Sequence, residues 1–86
     1  MPAAILYIDD DAGNLTVLEA VCAEEFEVVT ADNGPRGLEI LKTREIGVLI
    51  SDQRMPGMTG VEVLEAARAA SPETVRVLIT AYSDLG

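Results

Sequence analysis

Gly47-Val48-Leu49-Ile50-Ser51-Asp52, continuing as Gln53-Arg54-Met55-Pro56-Gly57-Met58-Thr59-Gly60, is the stretch on which the fold turns. Its first half is a short apolar run, the type that forms a strand buried on both faces. Its second half, with Pro56, Gly57 and Gly60, can be neither helix nor strand throughout and reads as a loop. Asp52 stands between them. Two other apolar runs end in the same way. Ile5-Leu6-Tyr7-Ile8 leads into Asp9-Asp10-Asp11, and Val75-Arg76-Val77-Leu78-Ile79 leads into Thr80-Ala81.

Helical patterns fill the intervals. Asn14 can cap a first helix through its side-chain oxygen, with Leu15, Leu18, Val21 and Cys22 at helical spacing behind it. Glu27–Ala31, rich in Val and Thr, reads as a second strand. Asp32-Asn33-Gly34 is turn chemistry, and Pro35 suits the first turn of a second helix whose inner side is Leu38 and Leu41, with Ile40 beside them. A third helix is predicted from about Val61 to Ala70, with Val61, Leu64 and Ala67 or Arg68 along one side. Ser71-Pro72 ends it, and Thr74–Thr80 makes a fourth strand. The order β-α-β-α-β-α-β implies an α/β fold with a parallel sheet and right-handed crossovers.

Eighty-six residues make one small domain at most. Fifteen acids against six bases give a net charge of −9, which argues against direct nucleic-acid binding. The charge suits a cation site, or simply a soluble acidic surface, and the second is the better default. The lone cysteine, Cys22, cannot form an internal disulfide, so a reducing compartment is expected, with packing rather than redox work for the thiol. No apolar run approaches a membrane span and the N-terminus lacks a secretory signal, so the expectation is a cytoplasmic protein with no membrane partner.

In a parallel sheet, strand ends that share a direction meet at one edge, where open α/β folds place ligands. Asp9 and Asp10 from the first strand and Asp52 from the third would then converge. Such crowding is unfavourable unless a cation or proton compensates. Mg²⁺ takes hard oxygen ligands, commonly one or two carboxylates with waters and a phosphate. Asp9-Asp10-Asp11 alone would more simply cap and solubilise a loop. Together with Asp52 and Thr80 on matching strand ends, it points to a metal and phosphate site.

The runs ILYIDDD, VLISDQRMPGMTG and VRVLITAY, in that order, resemble the receiver domain of bacterial two-component response regulators. The resemblance implies a flavodoxin-like, doubly wound sheet of order 2-1-3-4-5, here incomplete, with residues 1–86 forming its first four strands and three helices and the last helix-strand-helix portion absent. It implies that Asp52 accepts a phosphoryl group from a sensor histidine kinase or phosphotransfer protein. Asp10 would be a direct Mg²⁺ ligand, Asp9 mainly a water-mediated one, and the Arg54 backbone carbonyl would complete the set. Thr80 would hydrogen-bond the phosphoryl oxygen, with the Ala81 backbone N–H as a further donor. Asp11 would carry a further acid with no fixed role. An output domain outside this chain is implied as well. The chain would be a signalling module and not a turnover enzyme.

Receivers also use a lysine and an aromatic residue on a fifth strand. Lys42, the only lysine, falls at the end of the second helix, and Tyr82 follows Thr80 too closely to serve. Efficient phosphorylation of these 86 residues by themselves is therefore not expected. Without a fifth strand the fourth is an open apolar edge that invites pairing, so the chain would be a truncated piece, part of a longer protein, or a fragment completed by another copy. Without the last helix, the sheet face shared with the first helix is uncovered. Two alternatives follow from the same residues. One is a Mg²⁺-dependent phosphatase or phosphotransferase with Asp9 as nucleophile, for which Asp9-Asp10-Asp11 has the required Asp-x-Asp spacing. The other is a non-phosphorylated receiver fragment acting as an interaction or dimerisation module.

Overall fold

Each apolar run is a strand in the computed structural model, which describes residues 3–80. The elements are β1 (Ala4–Ile8), α1 (Ala12–Cys22), β2 (Val28–Ala31), α2 (Gly34–Thr43), β3 (Ile46–Asp52), α3 (Gly60–Ala70) and β4 (Val75–Ile79). All strand pairs are parallel, in the order β2-β1-β3-β4. The observed bounds differ from the expected ones by a residue at several ends; β3, for example, starts at Ile46 and not at Gly47. No helix among the described residues is long and apolar enough to cross a membrane.

From β1 the chain steps outward to β2, then returns past β1 to β3 and on to β4. Right-handed crossovers therefore put α1 on one face of the sheet and α2 with α3 on the other. The α2/α3 side holds the core. Leu6, Ile8 and Leu49 are fully buried there, beneath Ile40 and Leu41 of α2 and Val63 and Ala67 of α3. The inner stripe of α3 is thus Gly60, Val63 and Ala67, with Leu64 half-buried. Val61, expected on that side, is 43% exposed, because two residues along a 3.6-residue turn put it on the opposite side of the helix from Val63.

Alternate strand residues face the other way. By register, Tyr7 is flanked by Thr30 and Ile50, and Ile50 by Val77. Among the described residues this face is thinly covered, since α1 packs over the β2 side and buries none of its own residues. Leu15, Leu18 and Cys22 are half-buried as an inner stripe, but Val21 is 73% exposed. Val75, Val77 and Ile79 of β4 are also exposed.

Candidate metal centre

Ile8 lies beside Ser51 in the β1–β3 register, so the next step along both strands sets Asp9 beside Asp52. Carboxylate oxygens of Asp9, Asp10 and Asp52 all lie within 4.8 Å of one another. Asp9 is buried, Asp52 half-buried and Asp10 exposed, so the cluster opens from the sheet toward solvent.

Asp9 is held by three donors. The Tyr7 hydroxyl donates to its Oδ2 at 2.6 Å, the Asn14 side-chain amide donates to the same oxygen at 3.0 Å, and the Asp11 N–H donates to Oδ1 at 2.9 Å. Asn14 therefore does not cap α1. Asp11 does, in extended backbone, with its carboxylate accepting from the N–H groups of Gly13 at 2.8 Å and Asn14 at 3.2 Å. A side chain before the first turn can reach those donors, whereas Asn14 already lies inside the helix. The acidic triplet is divided in use: Asp11 starts the helix while Asp9 and Asp10 face Asp52.

Electrostatics mark Asp52. Burial, and next the negative charge of Asp9, hold its carboxyl above the usual carboxylate range, against a lowering hydrogen bond from the Gln53 N–H. Burial also pushes the Tyr7 phenol up, helped by its bond to Asp9. The donor set is all hard oxygen, with no soft or nitrogen ligand, and crowded carboxylates gain most from a small divalent cation. The ion pairs Arg36–Glu39 and Arg44–Glu27 involve other parts of the chain. The cluster fits Mg²⁺.

The loop beyond Asp52 is tied back to both neighbours. Gln53 extends the β3–β4 ladder through its N–H to the Ile79 carbonyl at 3.0 Å, and its own carbonyl accepts the Gly60 N–H at 3.1 Å. Its side-chain oxygen accepts the Val61 N–H at 2.9 Å, a second cap on α3. Gly57 makes the tight bend with φ of +82°, which closes by the Met58 N–H on the Pro56 carbonyl at 3.0 Å. Gly60 is required by space and not by backbone angle. A side chain there would run into the Asp52 carbonyl and lie 2.6 Å from Leu78 Cδ1. Met55 is buried and Met58 packs against the core.

A shallow depression beside Asp52 is lined by Gln53, Arg54, Met55, Pro56, Thr59 and Thr80. The fold thus brings Thr80 and Arg54 to the same strand edge as the acidic cluster. Ala81, the other expected donor, lies outside the described residues. Lys42 sits in the last turn of α2, as expected. Sequence reasoning missed Tyr7 and Gln53. A tyrosine two residues before an aspartate on one strand shares its face, and that spacing was the available signal for Tyr7.

This sheet edge, with carboxylates closing on one another at the ends of two neighbouring parallel strands, has a family. Residues 5–86 match the response regulator receiver domain family, and the chain belongs to it. The hydrogenase transcriptional regulatory protein HoxA of Cupriavidus necator is 38% identical over 82 residues, which is 95% of this chain and 17% of that protein. The DNA-binding transcriptional regulator NtrC of Escherichia coli is 38% identical over 82 residues, or 94% of this chain and 18% of its own length. The response regulator protein TrrA from Thermotoga maritima, solved in complex with Mg²⁺-BeF, superposes with a TM-score of 0.87 at 31% identity, covering 98% of this chain and 77% of that one. The chain therefore spans about a fifth or less of the curated relatives it matches. Its acidic cluster is positioned like that of Mg²⁺-binding receiver domains.

Proposed function

We propose that Asp52 is the phosphoacceptor of this receiver and takes a phosphoryl group from the phosphohistidine of a sensor kinase or phosphotransfer protein. The observation that carries this is the convergence of Asp9, Asp10 and Asp52 within 4.8 Å at the C-terminal edge of a parallel sheet. An oxygen of the Asp52 carboxylate attacks phosphorus in line; the P–N bond to the histidine breaks, a carboxylate O–P bond forms, and the imidazole leaves. A bound Mg²⁺ supplies neutralisation of the phosphoryl oxygens. Asp10 would ligate it directly, Asp9 mainly through water, and the Arg54 carbonyl would complete the set. Thr80 donates its hydroxyl to a phosphoryl oxygen, with the Ala81 N–H beside it. The remainder of the parent protein, an output domain by analogy with the transcriptional regulators above, reads the change. Elements continuing beyond these residues would cover β4 and the thin sheet face; otherwise a second copy would pair there. A cytoplasmic location follows from kinase partnership.

The competing phosphatase reading requires Asp9 as nucleophile. Three hydrogen bonds already occupy that buried carboxylate, which weakens it for attack. Labelling separates the two. With an acyl phosphate donor and Mg²⁺, the protein gains one phosphoryl group, lost in Asp52→Asn and after chelation of the metal. Label that survives Asp52→Asn and disappears in Asp9→Asn would establish the phosphatase chemistry instead.

A further inference from the structure

We propose that Tyr7 is a positioning residue of the acidic site, whose hydroxyl holds the Asp9 carboxylate so that Oδ1 is the oxygen turned to the cation or its waters. The inference rests on the Mg²⁺ site described above. Tyr7 is only 5% exposed, with its ring anchored in the middle of the sheet between Thr30 and Ile50. Its hydroxyl reaches Asp9 Oδ2 at 2.6 Å, a short bond of the charge-assisted kind.

An ionised carboxylate has about four acceptor positions, two on each oxygen. On Oδ2 both are taken, by Tyr7 and by Asn14. On Oδ1 one is taken, by the Asp11 N–H. The remaining position is therefore on Oδ1. The two donors to Oδ2 differ in stiffness. Asn14 sits on the exposed first turn of α1, whereas the tyrosine ring is locked by the strand. Mg²⁺ tolerates little departure from octahedral geometry, so a ligand carboxylate that cannot rotate contributes more than a mobile one. A phenylalanine would fill the same space and leave Oδ2 held only by the less rigid Asn14.

The test uses the protein at its full natural length, as wild type, Tyr7→Phe and Asn14→Ala. The Mg²⁺ dissociation constant is read from amide shifts, and the melting temperature is read separately in chelator. Partners that orient metal ligands typically contribute about 10–100-fold in affinity. Tyr7→Phe is expected to weaken Mg²⁺ binding about 10-fold, beyond anything its metal-free melting temperature accounts for, and Asn14→Ala to weaken it less. Unchanged Mg²⁺ affinity in Tyr7→Phe overturns the proposal while leaving the metal site intact. Absence of Mg²⁺ binding in the wild type overturns both. If Tyr7→Phe does not fold, the wild-type Tyr7 ring resonance decides: a shift on adding Mg²⁺ supports the coupling, and an unmoved resonance overturns it.

Discussion

Asp52 carries the cost of the site before any cation arrives. Burial and the charge of Asp9 raise its folded-state proton affinity above that in the unfolded chain. Between the ordinary and the raised value the folded state holds the extra proton, so stability falls as pH rises through that window and stays reduced above it. Asp52→Asn removes the penalty. Without metal, the variant is expected to melt higher than wild type at neutral pH. The gap should close as pH falls below the ordinary carboxylate range, where both states of the wild type are protonated. Added Mg²⁺ should narrow it from the other side by stabilising the wild type. Melting curves across pH check this, and a variant that melts lower than wild type at neutral pH contradicts it.

Among the elements, α3 is the one most directly joined to the site. Its first turn rests on the Asp52 carbonyl through Gly60, and its start is fixed by a reciprocal capping box. Thr59 Oγ1 accepts the Glu62 N–H at 3.3 Å, and the Glu62 carboxylate accepts the Thr59 N–H at 2.9 Å. The Thr59 N–H, and next the Thr59 hydroxyl donating to the same carboxylate oxygen at 3.1 Å, hold the exposed Glu62 carboxyl below its ordinary range. Loss of such a cap costs about 1 kcal/mol. In a domain of this size that corresponds to a melting temperature lower by about 4–8 °C. Thr59→Ala is expected to show that drop by circular dichroism; a change within error would mean that the Gln53 amide on the Val61 N–H suffices alone.

At the scale of the molecule, the two faces of the sheet are unequally protected. Among the described residues, the α2/α3 side holds the core, while β4 is the end strand of the sheet, with Val75 58%, Val77 39%, Leu78 38% and Ile79 39% exposed. Unpaired parallel edges with apolar flanks invite a further strand. A polypeptide of residues 1–86 taken by itself is therefore expected to self-associate as concentration rises. Val77→Lys, which places a charge on the bare face, should shift it toward monomer. Sedimentation velocity at low and high concentration reads both, and a wild-type polypeptide monomeric at every concentration contradicts the expectation.

The local sequence was enough for the alternation of elements and for Asp9, Asp10 and Asp52. Short apolar runs ending in acids need no tertiary information to be recognised as strands with functional ends, and a loop with Pro56 and Gly57 restricts its backbone by covalent geometry. Tertiary structure decided what depends on neighbours distant in the chain. Asp11 and Asn14 are both good capping residues, and only the folded chain settled that Asp11 caps α1 while Asn14, inside the helix, turns toward Asp9. Gly60 reads along the chain only as part of a loop, and the nearness of the Asp52 carbonyl shows that the position requires a missing side chain. Val61 and Val63 are equally apolar and lie on opposite sides of α3, and only the packing of that helix on the sheet and α2 settled which of them is buried. Hydrophobicity and backbone preference act over a few residues and can be read along the chain. Hydrogen-bond partnership and close packing are settled only when the strands have paired.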